Sequence, residues 1–345
     1  MQIADFKINS SSPVFIIAEM SANHNGDLET AIETIRAAKR AGANCIKLQT
    51  YTPDTITIDS AQEDFLIDGT IWHGKNLYKL YQEAYTPWEW HEKLFQIAKE
   101  EGLICFSSPF DKTAVDFLED LNTPAYKIAS FEITDIPLIE YVASKKKPII
   151  LSTGISDLND IELAIDACRR MGNNEIVLLK CTSSYPAPME EANLIMIEEF
   201  KNRFGVISGL SDHTTGIVAP IIAVILGAKI IEKHFILDRS IGGPDASFSL
   251  NEYEFTSMVN AIREAEVGLG KVDYALTAKQ IKGKDFSRSL YVVEDIFEGD
   301  TVSSYNVRSI RPGFGMHPKN LPIVLGKKFT KDVKKGTRLD WSLIV

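Results

Sequence analysis

The sequence predicts an α/β protein: a (β/α)8 TIM barrel followed by a small β-rich domain. Three observations carry this. Apolar strand-like runs and helical runs alternate eight times before Val267, and ~250 residues is the usual length of such a barrel. No strand is followed by a Gly-rich dinucleotide turn, which weighs against an open doubly wound sheet. After Asp285 the pattern changes to short alternating segments (LYVVEDI, YNVRSI, PIVLG, TRLDWSLIV) separated by turns at Glu298-Gly299-Asp300, Pro312-Gly313 and Lys335-Gly336. The expected organisation is therefore a barrel over 1–267, a link over 268–285 and a small domain over 286–345.

The elements follow in order. Val14–Glu19 is a buried strand ending in the turn-rich MSANHNG, and Ala31, Ile32, Ile35 and Ala38 give the first helix its apolar face before Gly42 stops it. Asn44–Gln49 is the second strand. Tyr51–Thr86 is too long for an ordinary βα loop and reads as a substrate loop or lid, with Trp72 and Tyr78 serving packing at least as much as recognition. Strands then fall at Leu103–Ser107, Ala125–Ala129, Pro148–Ser152, Glu175–Cys181, Val206–Leu210 and Lys229–Glu232. Helices fall at Trp88–Glu101, Lys112–Leu121, Pro137–Ser144, Leu158–Met171, Glu190–Arg203, Thr215–Gly227 and Glu252–Val267. The last ~60 residues would be marginal alone, so packing on another surface is expected.

Bulk properties narrow the classes. With 37 basic and 47 acidic residues the net charge is −10, which argues against a general nucleic-acid or anionic-membrane partner. No apolar run reaches the ~18 residues of a membrane span. MQIADFKINSSSP lacks the basic start and apolar core of a secretory signal. Cys45, Cys105, Cys168 and Cys181 show no CxxC spacing, and the three inside predicted strands, Cys45, Cys105 and Cys181, read as small apolar residues, so reduced thiols and a cytoplasmic location are expected.

A barrel delivers all its strand ends to one mouth, where such folds do chemistry. Strands seven and eight end on Ser211-Asp212-His213 and Glu232-Lys233-His234. Two imidazoles converging on one rim suit a divalent metal with open positions. The other strand ends offer Glu19, Asn23 and His24; Lys47 and Gln49; Ser107 and Ser108; Lys127, Ser130 and Glu132; Ser152 and Thr153; and Lys180, Ser183 and Tyr185. A lysine inside an apolar strand is costly unless paired. Lys47 and Lys127 either snorkel to rim carboxylates or, with Ser108, Ser130 and Ser152, form an anion site suited to phosphate. Aldol-type condensation and phosphoryl chemistry both fit, and Lys127 could instead be a Schiff-base nucleophile.

Read together, AEMSANHNG, IKLQT, FSSPFD, AYKIASFE, ILSTG, GLSDHT, EKHF and GGPDASFSL resemble, in this order, the sialic acid synthase family over almost the whole chain. The C-terminal part resembles that family's antifreeze-like (SAF) module. GGPDASFSL after EKHF is similar to the pseudaminic acid branch, whereas the neuraminic acid branch more often shows a PGPD-type segment. The resemblance implies that phosphoenolpyruvate condenses with the open-chain aldehyde of an amino sugar to give a nine-carbon 2-keto acid and free phosphate by C–O cleavage. In this branch the sugar is 2,4-diacetamido-2,4,6-trideoxy-L-altrose; N-acetylneuraminate or legionaminate synthesis is the same chemistry on another sugar. It implies a divalent metal, typically Mn²⁺ with Mg²⁺ or Co²⁺ as substitutes, held by His213 and His234. Lys47, Ser108, Lys127, Ser130, Ser152, Tyr185 and Ser211 match the phosphoenolpyruvate pocket. Glu19, Gln49, Asp245 and Arg311 match sugar contacts, and Glu19 and Glu232 join the histidines in catalysis. The family's SAF module caps the barrel mouth of the other protomer, which implies a domain-swapped homodimer. Ser183 departs from the family's frequent Asn, and the 51–86 loop has no readable sugar contacts.

Overall fold

Side-chain parity along the strands decides what enters this barrel. Eight parallel strands, β1 (Phe15–Glu19), β2 (Cys45–Thr50), β3 (Ile104–Pro109), β4 (Tyr126–Ile128), β5 (Ile149–Ser152), β6 (Ile176–Cys181), β7 (Ile207–Asp212) and β8 (Ile230–His234), close in sequence order, with β8 pairing β1. Phe15 and Ile17 pack in the lumen with Cys45, Phe106, Ile150, Val177, Leu179 and Ile230. Their neighbours Ile16, Ala18, Ile46, Leu48 and Ile231 face the helices instead. The same two-residue period sends Glu19, Lys47, Gln49 and Glu232 inward above that apolar floor.

The computed structural model describes residues 1–345 and divides into two compact units, Met1–Gly270 and Lys271–Val345. In the first, the barrel helices are α1 (Leu28–Arg40), α2 (Trp88–Glu100), α3 (Lys112–Asp120), α4 (Ile136–Ser144), α5 (Leu158–Arg170), α6 (Met196–Phe204), α7 (Val218–Ile225) and α8 (Glu252–Leu269). Five of them start on an Asp or Asn whose side chain accepts a first-turn N–H: Asp27, Asp111, Asp135, Asp157 and Asn251. Each such cap stabilises its helix by about 1 kcal/mol. A short hairpin, Gln2–Ile3 with Phe6–Lys7, closes the lower end of the lumen, where Ile3 and Ile8 join the apolar cluster.

Several elements differ from expectation. β7 continues past Leu210 to Asp212, and β8 past Glu232 to His234, so the histidine motifs sit on and directly after strand residues. The helix expected from Glu190 begins only at Met196. Asn193 adopts a left-handed φ of 41° between a 3-10 turn at Met189–Glu191 and α6, which interrupts the run. The 51–86 excursion is partly ordered into helices Pro53–Ile56 and Leu77–Ala84.

The second unit is less strand-rich than its sequence suggested. One antiparallel pair forms, Ser289–Val292 with Val307–Ile310. The remaining extended segments contribute isolated bridges such as Ile296↔Val333 and Phe329↔Ile344. Its own core includes Leu290, Val292, Val307, Phe329, Leu339 and Leu343. The start of this unit, expected as a link, carries one exposed helix, Ala278–Gly283.

Candidate active site

Parity brings seven of the expected residues into one buried network. β1 and β2 pair Glu19 with Lys47 in register, and the Lys47 ammonium lies 2.9 Å from Glu19 and 3.4 Å from Glu232. It also donates to Ser108 Oγ at 3.2 Å. Lys127 reaches the same Glu232 oxygen at 3.4 Å, and Ser211 donates to it at 3.3 Å. Gln49 donates to Glu19 and to Ser21, each at 2.9 Å. Ser21 holds a left-handed φ of 48°, local strain of the kind found where geometry is fixed for function.

Each lysine is paired with a carboxylate, and both point into one lumen. Burial works against the Lys47 charge, but Glu19 and Glu232 outweigh it and hold its pKa above the ordinary value. Burial lowers that of Lys127, with Glu232 opposing. Burial would raise the Glu232 carboxyl, yet Lys127 and Lys47 bring it below the usual range. Glu19 is pushed up to about 7 by burial, with Lys47 opposing and Glu232 adding to the rise.

The hydroxyl set continues just after β4 and on β5. Ser130 Oγ accepts from the Gly154 N–H at 3.0 Å, and Ser152 Oγ is buried without a hydrogen-bond partner. Gly154 is tightly enclosed: an added Cβ would lie 2.0 Å from Ser183 Oγ and 2.7 Å from Ser130 Oγ, so both hydroxyls would have to move. Ser183 thus packs against the Gly154 turn beside Ser130.

His213 and His234 face each other with ring centres 5.3 Å apart. His213 contacts the Thr182 carbonyl through Nδ1 at 3.0 Å, leaving Nε2 for a ligand. Burial, reinforced by His213, holds the His234 pKa well below its ordinary value, so this ring is neutral. Its Nδ1 makes no hydrogen bond and lies 3.8 Å from Asp245. Tyr185 packs on His213 at 4.4 Å, and Phe248 on His234 at 4.9 Å. A pair of buried imidazoles beside open space fits a divalent cation, and no group of three His, Cys, Asp or Glu side chains is arranged to enclose one. Positions beyond the two rings would fall to substrate and water.

Above the network lies a cavity of about 490 Å³, lined by Gln49, His234, Asp245, Tyr185 and Glu132 among others. Glu132 ends the 3-10 turn Ser130–Glu132 that follows β4, and burial pushes its carboxyl up to about 7 against Lys127; its Oε2 has no partner. Asp245 follows Gly242 and Gly243, whose φ values of 76° and 111° favour glycine. Trp72 from the excursion donates to the Pro244 carbonyl at 3.2 Å and is tied to this loop. Tyr78 instead bonds Asp54 at the surface.

Cys181 was read as a small apolar residue, but its Sγ lies 3.7 Å from His213 Nδ1. Burial opposes, yet His213 pulls its thiol down to about 7. The signal was available: Cys181 is two residues beyond the lumen-facing Leu179. His24 and Asp212 are not part of the site. His24 is buried against Trp90 and bonds Thr86, and Asp212 faces outward to pair with Lys233 at 2.5 Å. Arg311 belongs to the second unit, exposed in a turn where Gly313 and Gly315 pack against the Lys284 and Leu290 carbonyls.

A family model described as NeuB matches residues 34–274. The chain is 49% identical over 339 residues, 98% of each chain, to a pseudaminic acid synthase of Campylobacter jejuni. It is 48% identical over 328 residues, covering 95% of this chain and 96% of the other, to a pseudaminic acid synthase of Helicobacter pylori. An N,N'-diacetyllegionaminic acid synthase of Legionella pneumophila is 35% identical, over 97% of this chain and 96% of its own. Among solved structures, an N-acetylneuraminic acid synthetase of Leptospira borgpetersenii superposes with a TM-score of 0.73 at 30% identity, over 82% of this chain and 94% of that one. With the closed barrel and its lysine–histidine lumen, these likenesses lead to one conclusion: this chain belongs to the NeuB family.

Proposed function

We propose that this protein condenses phosphoenolpyruvate with the open-chain form of 2,4-diacetamido-2,4,6-trideoxy-L-altrose, giving pseudaminic acid and inorganic phosphate. The observation that carries it is the meeting, in one buried lumen, of two lysines and a hydroxyl set with two imidazoles. The greater likeness to pseudaminic than to legionaminic acid synthases supports the choice of sugar.

Lys47 and Lys127 bind the phosphate and carboxylate of phosphoenolpyruvate as point charges, with Ser108, Ser130, Ser152 and Ser211 donating hydroxyls. Tyr185 walls that pocket from the cavity. Gln49, Glu19 and Asp245 orient the sugar. A divalent cation, Mn²⁺ by preference, held by His213 and His234 would polarise the aldehyde. The enol carbon bonds to the aldehyde carbon, whose oxygen takes a proton. Water adds at C2 of the former phosphoenolpyruvate and loses a proton, and phosphate leaves with the bridging oxygen. Glu19 and Glu132, both near 7, are carboxyls able to give and take protons at neutral pH. Glu232 keeps both ammonium groups charged. A Schiff-base route through Lys127 would leave both imidazoles without a task.

The second unit acts as an antifreeze-like module that carries Arg311 to the sugar at the barrel mouth of a second copy, in a domain-swapped homodimer. The reaction takes place in the cytoplasm, where the four buried free cysteines stay reduced. No helix is long and apolar enough to cross a membrane.

Phosphoenolpyruvate labelled with ¹⁸O at the bridging position tests the chemistry. The label is expected in phosphate, with unlabelled pseudaminic acid identified by mass; label retained in the nine-carbon product would overturn C–O cleavage.

A further inference from the structure

The cavity has two unlike walls. The wall built from strand ends and their loops carries the ionisable groups: Gln49, Glu132, His234 and Asp245 line it beside the apolar Ala22, Ala129, Phe131 and Pro244. The wall built from the 51–86 excursion is apolar. Ile56, Ile67, Leu77, Leu80 and Ala84 line it without a polar side-chain atom, and Phe110 extends it from the end of β3. Trp72 lines it too, with its one donor committed to the Pro244 carbonyl. The hydroxyls of Tyr51, Thr70 and Tyr81 are the exceptions, and Thr70 Oγ1 already accepts the Trp72 backbone N–H at 3.2 Å.

This wall is held in place. Tyr51 stacks edge-on against Tyr81 at 5.6 Å and Phe110 at 5.1 Å. Asn76 caps the Leu77–Ala84 helix and bonds the Ser60 carbonyl at 2.8 Å, tying that helix to the earlier part of the excursion. The cavity, about 490 Å³, lies within the ~300–1,000 Å³ of small-molecule sites.

A sugar hydroxyl turned to such a wall gives up hydrogen bonds to water and receives none, whereas a methyl group gains burial. The aldehyde end must reach the imidazoles on the polar side, which leaves the far end of the open chain to the apolar side. We propose that the excursion wall, through Ile67 and Leu77, selects a sugar whose terminal carbon is a methyl group and rejects its hydroxymethyl counterpart. This rests on the synthase reading given above.

The test compares kcat/KM for 2,4-diacetamido-2,4,6-trideoxy-L-altrose with that for the same sugar hydroxylated at C6, read by phosphate release. The unaltered enzyme is expected to prefer the methyl sugar by about 10–100-fold, the range one apolar contact supplies. Ile67→Asn and Leu77→Asn, both half-buried positions, are each expected to cut that ratio about tenfold while the KM for phosphoenolpyruvate stays within about twofold. Leu77→Met, which keeps the apolar surface, retains the ratio. Equal use of both sugars by the unaltered enzyme, or an unmoved ratio in both Asn variants, overturns the wall and leaves the synthase standing. No phosphate release with either sugar overturns the synthase reading and the wall with it.

Discussion

His24 and His91 show how far a single side chain's environment overrides its type. His91 donates and accepts within a closed set, with Thr50 at 2.9 Å and the Pro87 carbonyl at 3.2 Å. Burial lowers its pKa from 6.5 to about 4, and burial with repulsion from His91 does the same to His24. Both are bases whose folded pKa lies below the unfolded value. Above pH 6.5 neither state is protonated and the shift has no effect; between 6.5 and 4 the unfolded chain takes the proton first, and stability falls. The loss for His91 is about 3 kcal/mol across that window. Thermal melts between pH 7 and 4 check this: His91→Asn should be less stable at pH 7 but lose less on acidification, and an unchanged slope would count against it. Glu132→Gln is expected to lower kcat by about 10²–10⁴ with little change in the KM for phosphoenolpyruvate; single-turnover phosphate release reads it, and wild-type kcat would remove Glu132 from proton transfer. His213 and His234 were legible because each closes an apolar run with an acidic neighbour. Glu132 was visible as a strand-end carboxyl, but its orphaned oxygen and raised pKa depend on burial that no local pattern encodes.

At the level of elements, strand parity made most of the lumen readable. Lys47 and Gln49 share a face by spacing alone, and the closed sheet then fixes that face as inward. What spacing could not show is that Lys47 and Lys127, 80 residues apart by their numbers, meet on one Glu232 oxygen. The turn after β5 depends on the same close packing. Gly154→Ala would put a methyl group into Ser183 Oγ and displace Ser130, so the KM for phosphoenolpyruvate is expected to rise at least about tenfold, the scale of one lost charge-assisted contact. Adding Ser183→Gly should recover part of it; an unaffected single variant would show that the turn has slack. The excursion was legible only as an excursion. Its two helices span four and eight residues, and their apolar residues face a cavity, which leaves no amphipathic signature distinguishing a packing face from a binding one.

On the scale of the whole molecule, strand–helix alternation stops in the sequence where short alternating segments begin, and the chain divides into Met1–Gly270 and Lys271–Val345. The sequence overstated strand content in the second unit, since turns break most of those segments into single bridges. The proposed swap makes a prediction about chains rather than residues: co-expressing an Arg311→Ala chain with a His213→Ala chain should give heterodimers with up to one intact site and recover activity that neither homodimer has. Absence of any recovery would place Arg311 outside a shared site. The central claim is that this lumen joins phosphoenolpyruvate to an amino sugar with help from a divalent cation at His213 and His234. It is tested most directly by the initial rate of phosphate release from phosphoenolpyruvate with 2,4-diacetamido-2,4,6-trideoxy-L-altrose, before chelation, after EDTA, and after adding Mn²⁺ back. The account predicts turnover that chelation abolishes and Mn²⁺ restores; full turnover in EDTA, or none under any condition, would contradict it.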